Sequence, residues 1–225
     1  MNAALPWLQW FHDSSGRVVG GGENDCVHGW DDERVVSFIE RFPVAGKRIL
    51  EPGCLEGVMT CALCHAGAVV TAFDCRAACA AKTYTRCAAF GFSPRVLIHD
   101  AREMDRVAAR CPEKQYDAIF HSGVLYHLPE PAAHLRALRK LAPFVGLHTH
   151  TCDSAATEHE GYDGRWRDEN GWSDHFSGAQ ERSFHPTREA LQRMIADAGW
   201  TCETVWERPA PSESRVGWYF LEALC

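Results

Sequence analysis

From residue 46 to residue 152, short apolar runs alternate with segments whose apolar residues recur at helical spacing. The runs Arg48-Ile49-Leu50-Glu51-Pro52, Ala68-Val69-Val70-Thr71-Ala72-Phe73, Val96-Leu97-Ile98-His99 and Tyr116-Asp117-Ala118-Ile119-Phe120-His121 read as strands, with a fifth over 144–150. Helices are expected near 57–66, 76–90, 103–110 and 131–142. Such alternation implies a parallel sheet with helices on both faces. Upstream, residues 1–45 form an arm in which Asp31-Asp32-Glu33 starts a helix carrying Val35, Val36, Phe38, Ile39 and Phe42 on one face. Downstream, 153–185 breaks the rhythm; it is rich in Gly, Asp, Glu, Trp and His and reads as a long functional connection, a lid. Pro186-Thr187-Arg188-Glu189 then opens a helix, and strands near 201–207 and 215–223 close the chain as an antiparallel hairpin. The expected fold is one domain over 1–225, α/β and doubly wound, with a Rossmann-like seven-stranded sheet. Its parts are the arm (1–45), a core (46–152), the lid (153–185) and a C-terminal helix and hairpin (186–225).

The strand ends carry the chemistry. The first delivers Glu51 to the sheet rim and runs into Gly53, where the missing Cβ lets a ligand approach the backbone; Gly57 follows. The second ends at Asp74, placed to accept hydrogen bonds from both hydroxyls of an adenosine ribose. Asp100 and Ala101 follow the third and could meet an adenine amino group and ring nitrogen. The fourth opens into Gly123-Val124-Leu125-Tyr126-His127-Leu128. Open α/β sheets bind ligands along this edge. A dinucleotide is disfavoured, because Gly-x-Gly-x-x-Gly is missing and Glu56 would stand near a pyrophosphate as a like charge. A cationic ligand would tolerate both Glu51 and Glu56.

Together Glu51-x-Gly53-x-x-x-Gly57, Asp74, Asp100-Ala101 and the Gly123–Leu128 segment resemble the motif series of class I S-adenosylmethionine-dependent methyltransferases. With Trp10-Phe11-His12-Asp13 and Gly16–Gly21 upstream, they are similar more narrowly to the small relatives of the tRNA wobble-uridine carboxymethyltransferase. The resemblance implies a fold, S-adenosylmethionine as cofactor and a methyl transfer. It assigns Glu51, Gly53, Gly57, Asp74, Asp100, Ala101, Gly123 and Trp10 to the cofactor, the last on an arm that folds over it.

Methyl transfer, expected here at oxygen or nitrogen, requires an acceptor held in line and, for an alcohol, phenol or protonated amine, a proton acceptor. His127, with Tyr126 beside it, is the candidate for that chemistry; His121 reads equally as a core histidine. His148-Thr149-His150 puts two imidazoles on one strand face, and His150 is assigned to substrate rather than metal. In the lid, Tyr162, Arg165, Trp166, Arg167, Trp172, His175 and Phe176 offer rings and guanidinium donors. Arg165, Trp166 and His185 are taken as acceptor contacts.

Composition narrows the partners. A formal charge of −7, with 23 Lys and Arg scattered along the chain, favours a small-molecule acceptor over nucleic acid, leaving tRNA modification as the alternative enzyme reading. A methyltransferase-like binding protein without catalysis is the alternative from another class. No run approaches a membrane span and no leader is recognisable, so a soluble cytoplasmic protein is expected. Most of the 11 cysteines are expected as small buried hydrophobes. Cys61-Ala62-Leu63-Cys64-His65 has the form of a haem attachment or zinc half-site, and no metal is assigned to it. Oligomeric state is not legible.

Overall fold

The computed structural model describes residues 7, 11–19, 29–104, 106–107, 116–171, 174, 176–212 and 214–224. Trp10, Trp172 and His175 lie outside these, as does most of the helix expected over 103–110. By its internal contacts the chain forms two compact units, residues 1–100 and 101–225.

The first unit begins with a short antiparallel pair, β1 (Phe11–His12) and β2 (Val18–Val19), and α1 (Glu33–Arg41). Asp32 caps α1 by accepting from the Arg34 N–H, and Val35 and Phe38 are its buried residues. β3 (Arg48–Pro52), β4 (Val69–Asp74) and β5 (Arg95–Ile98) pair in parallel in the order β3-β4-β5. In β3 and β4 every residue after the first is buried, as a strand covered on both faces requires. The connections are α2 (Val58–His65) and α3 (Ala77–Ala89). The two helices pack together, with Cys61 and Cys64 on one meeting Cys87 on the other, and small buried residues, Ala62, Cys79 and Thr83 among them, line both.

The second unit holds β6 (Ala118–Ser122), α4 (Pro131–Arg139) and β7 (Phe144–Cys152), with β6 and β7 parallel. β12 (Ser214–Ala223) pairs antiparallel with β7, and β11 (Trp200–Ala210) pairs antiparallel with β12, giving the order β11-β12-β7-β6. These four strands and the three of the first unit make the seven-stranded sheet expected of the sequence, mostly parallel with an antiparallel C-terminal hairpin and flanked by helices. The core of this unit joins Phe120 to Trp218 and Phe144 to Phe220 at ring-centroid distances of 5.6 Å each. α5 (Arg188–Asp197) starts at Thr187, whose hydroxyl accepts from the Ala190 N–H.

The lid departs from expectation. Residues 153–185 read as an irregular connection, but the chain here forms a three-stranded antiparallel sheet from β8 (Thr157–His159), β9 (Tyr162–Asp168) and β10 (Arg182–Pro186). The turn joining β8 to β9 has Glu160 at φ 52 and Gly161 at φ 83, the left-handed pair of a two-residue hairpin. Glu-Gly is a weaker signal for that turn than Asn-Gly or Asp-Gly, and the hairpin escaped notice for that reason.

Candidate functional site

In the first unit the turn after β3 is held by its own backbone and by one carboxylate. The N–H groups of Gly53 and Cys54 both donate to the Phe73 carbonyl, at 2.8 and 3.0 Å. Three residues of the turn are left-handed: Gly53 at φ 70, Leu55 at φ 47 and Gly57 at φ 77. Leu55 is the unexpected one, because a branched side chain resists that conformation. It is tied at both ends, its N–H donating to Asp74 Oδ2 at 3.0 Å and its carbonyl accepting from Thr83 Oγ1 at 2.9 Å. Asp74 Oδ1 accepts in turn from the Arg76 N–H at 2.9 Å. The Cys75 thiol also donates to this carboxylate, which keeps acceptor capacity for a ligand while two backbone donors set its direction.

Gly57 has a packing reason as well. A Cβ there would stand 2.7 Å from Thr83 Cα, so α2 and α3 approach at that point only because the side chain is absent. Glu51 is 3% exposed and accepts from Thr60 Oγ1 at 2.5 Å. Burial, and then the neighbouring Asp74 charge, push its pKa up to about 8 against the hydrogen bond from Thr60. Burial raises Asp74 also, against its two backbone donors. Two buried carboxylates disfavouring their own charge suit a cationic ligand bearing hydroxyls, which would stabilise both as anions.

Glu56 requires a correction. The sequence suggested that it faces the ligand; instead it is fully buried and accepts from Lys82 Nζ at 2.5 Å. Arg86 donates to the Glu56 carbonyl at 2.8 Å, and its guanidinium lies 4.3 Å over the Phe11 ring and 5.5 Å over Trp7. Glu56 thus belongs to the packing of the described arm residues against α3. Asp100 follows β5, after His99, whose N–H donates to the Asp74 carbonyl at 3.0 Å.

In the second unit the Ala101 carbonyl accepts from His134 on α4, Nδ1 to oxygen 3.0 Å, while His134 Nε2 stands 2.8 Å from His121 Nε2. A donor at Nδ1 leaves His134 Nε2 as acceptor, so His121 donates and both rings are neutral. Burial sets His134 at about 4 and lowers His121 further. His121 is a core histidine, as one reading allowed. Its partner was missed, although His134 stands four residues before Leu138 on the buried side of α4.

Gly123, at φ 79, turns the chain out of β6 and donates to the His148 carbonyl at 3.2 Å. Tyr126 and His127 follow in a 3-10 turn. His127 Nδ1 lies 3.0 Å from Glu169 Oε1, in the connection between β9 and β10. Glu169 Oε1 also accepts from Ser183 Oγ at 2.7 Å, and Oε2 from Ser177 Oγ at 2.5 Å and the Gly178 N–H at 2.6 Å. Burial would raise this carboxyl, but His127 and the two hydroxyls outweigh it and hold its pKa down to about 2. A constant anion at Nδ1 selects the Nδ1–H tautomer of His127 and leaves Nε2 as the basic nitrogen. Glu169 is the candidate site residue that sequence reasoning missed, since it looks like any acid in a polar stretch.

Tyr126 is the hub of a ring cluster, 4.2 Å from His127, 4.4 Å from His150 and 6.0 Å from His185 between ring centroids. His148 and His150 share one face of β7, 6.3 Å apart, and His148 packs on Trp206 at 5.8 Å. Burial, then the charges of His127 and Arg167, lower His150; burial and then Arg167 bring His185 to about 4. On the lid sheet the register opposes Ser183 to Arg167 and His185 to Arg165, so these four point to one side. Trp166 alternates to the other side, packed 4.8 Å from His159, 5.3 Å from Phe184 and 4.4 Å under Arg182. It was expected to meet the acceptor; strand alternation puts it among the rings that hold the lid sheet together. The structure therefore brings Tyr126, His127, His150 and His185 together, with Arg165 and Arg167 on the neighbouring strand.

Among the described residues no group of three or more His, Cys, Asp or Glu is placed to hold a metal ion. Cys61 and Cys87 are buried and Cys64 half-buried, all three free thiols, with Cys61 and Cys64 each hydrogen-bonded to Cys87, and His65 stacks 4.6 Å from Trp30. No described helix is long and apolar enough to cross a membrane.

Comparison with known proteins places the chain in a family. A family model described as a methyltransferase domain matches residues 27–205. Ubiquinone biosynthesis O-methyltransferases from Pseudomonas savastanoi pv. phaseolicola and Bordetella pertussis are 31% and 32% identical over 115 residues. Each alignment covers 51% of this chain, with 48% and 43% of the respective relatives, so the match spans about half the length of these curated proteins. Among solved structures, the N-terminal domain of EvdMO1 with S-adenosylhomocysteine bound superposes at a TM-score of 0.80 with 24% identity, covering 97% of this chain and 92% of that one. A Burkholderia thailandensis 1,6-didemethyltoxoflavin-N1-methyltransferase superposes at 0.62 with 15% identity, covering 88% and 80%. These two likenesses are likenesses of fold. With the family model spanning most of its length and the cofactor-edge motifs in place, the chain belongs to the methyltransferase domain family, in the class dependent on S-adenosylmethionine.

Proposed function

We propose that this protein methylates a hydroxyl group of a small-molecule acceptor, with His127 Nε2 taking the proton that the hydroxyl loses. The observation that carries the reading is the His127–Glu169 contact at 3.0 Å. A sulfonium methyl donor needs no help from an acid, because its leaving group departs neutral. A hydroxyl acceptor does need a base, and an imidazole held in one tautomer by a permanent carboxylate is suited to that task. S-adenosylmethionine supplies the activated methyl group when bound. Glu51, Gly53, Gly57, Asp74, Asp100, Ala101 and Gly123 are the residues assigned to it, Asp74 receiving the ribose hydroxyls. The arm residue Trp10, outside the described residues, is assigned to the same ligand. Tyr126, His150, His185 and Arg165 are assigned to the acceptor.

The name of the ubiquinone biosynthesis O-methyltransferases supports oxygen as the methylated atom. The formal charge of −7 supports a small acceptor over tRNA, so the narrower resemblance to the wobble-uridine enzyme's relatives enters only as a likeness of the Gly123–Leu128 segment and the arm. A soluble cytoplasmic enzyme is part of the same reading.

The test joins binding and turnover. S-adenosylhomocysteine should bind with calorimetric heat, and a panel of phenols, hydroxy acids and sugars should be screened for release of S-adenosylhomocysteine with a mass gain of one methylene in the acceptor. His127→Ala should lower kcat by about 10²–10⁴-fold with little change in cofactor affinity. Full turnover in His127→Ala at saturating acceptor would remove the base assignment. Absence of cofactor heat in folded protein would remove the reading as a whole.

A further inference from the structure

The side of the lid sheet that carries Ser183 and His185 also carries Arg165 and Arg167. Ser183 reaches Glu169, which holds His127, so this side adjoins the ring cluster around Tyr126. Arg167 stands close enough to His150 and His185 for its charge to depress both, after burial. Its guanidinium makes one hydrogen bond, Nη2 to the Ser212 carbonyl at 2.7 Å, and no carboxylate pairs with it among the described residues. Glu169, the acid that holds His127, has its two oxygens taken by His127, Ser183, Ser177 and Gly178.

A second observation lies beside it. His185 is 7% exposed, and its Nδ1 has no hydrogen-bond partner. A buried polar atom left without a partner is unfavourable, so such an atom beside an open guanidinium marks a place where a ligand supplies the missing group. In a chain with 30 Asp and Glu, leaving this Arg without an acid keeps its charge available.

We propose that the acceptor is a hydroxy acid, its carboxylate received by Arg167 and by the Nδ1 side of His185 while its hydroxyl is presented to His127. The planar guanidinium fork matches a carboxylate, and the surrounding neutral imidazoles do not compete for it. This rests on the proposed methyl transfer only for the purpose of the site; the anion preference itself can be read without turnover.

The experiment is calorimetric titration of the full chain saturated with S-adenosylhomocysteine, using two matched pairs: 3,4-dihydroxybenzoate against 3,4-dihydroxybenzamide, and galacturonate against galactose. In at least one pair the carboxylate should bind about 10-fold tighter or more, as a charge-assisted bond predicts. Arg167→Gln should shrink that gap to about threefold or less, and Arg167→Lys should retain part of it. Unaltered far-ultraviolet circular dichroism of both variants confirms that they fold. Equal affinities within both pairs, a gap that survives Arg167→Gln, or no heat from either carboxylate would overturn the proposal. A carboxylate preference without any methylation would keep this inference and remove the proposed function; methylation confined to neutral hydroxyls would do the reverse.

Discussion

The turn after β3 and the His127–Glu169 pair show two ways of building a candidate site. In the turn, the residues lie within one stretch from Glu51 to Asp74, and the carboxylate of Asp74 is aimed by backbone N–H groups at 3.0 and 2.9 Å. The His127 pair draws its carboxylate from 42 residues further along the chain, and that carboxylate is held by side chains and one N–H from a loop between two strands of a separate sheet. The first depends on local conformation, with three left-handed residues in five positions. The second depends on register and loop closure. A substitution should therefore harm the first through strain at the altered residue, and the second through loss of orientation at a residue that stays intact.

Asp74→Ala is the largest expected effect. It removes the carboxylate proposed to receive the ribose hydroxyls and orphans the Leu55 N–H in a strained conformation, so affinity for S-adenosylhomocysteine should fall about 100-fold, equivalent to about 2.7 kcal/mol. Calorimetry reads it, and unchanged affinity would break the comparison at its local end.

Gly57→Ala comes next. It forces a Cβ against the Thr83 backbone at 2.7 Å with φ at 77°, and should cost about 2 kcal/mol or more of stability. Gly161→Ala, at φ 83 with nothing within 4 Å, should cost only about 1 kcal/mol. Denaturation midpoints compare the two; equal losses would show that the close packing of α2 on α3 contributes nothing.

Glu169→Gln sharpens the other end. The amide keeps the shape and removes the charge, so kcat should fall about 10-fold, and the acid limb of the pH–rate profile should move as the proposed base loses its anion, while KM for the cofactor stays near its starting value. A lower melting temperature with unchanged kcat and pH profile would assign Glu169 to structure alone.

The smallest effect is on acid stability. His185 is depressed from 6.5 to about 4, so the unfolded chain takes up a proton first, and the stability this group contributes at neutral pH is lost as pH falls from about 6.5 towards 4. Glu169 is depressed from 4.5 to about 2, and its contribution is present above pH 4.5 and lost as pH falls towards 2. Denaturant midpoints measured between pH 7 and 4 should decline, and His185→Asn should flatten the upper part of that decline. An unchanged slope in the variant would show that His185 is not held neutral.

Residues 48–152 were readable because a parallel strand buried on both faces is a run of apolar residues, and the residue ending the run must sit at the rim. Glu51 and Asp74 stand where that rule puts them. His148 and His150 share a face because a strand alternates, whatever surrounds it. The same rule, applied to the lid, would have separated Trp166 from Arg165 and Arg167, had β9 been recognised as a strand.

The amino-acid sequence by itself determined the alternating α/β order, the glycine turn, the acids at the strand ends and the family. Each is carried by neighbours in the chain, through periodicity, left-handed glycine and a carboxylate at a fixed offset. Tertiary structure alone decided that Glu56 is consumed by Lys82, that His121 has His134 for a partner, and that Glu169 turns to His127 while, among the described residues, no carboxylate turns to Arg167. Those pairings depend on which side chains are brought within about 3 Å by strands and helices distant in sequence, and no local pattern of residues encodes a distance of that kind.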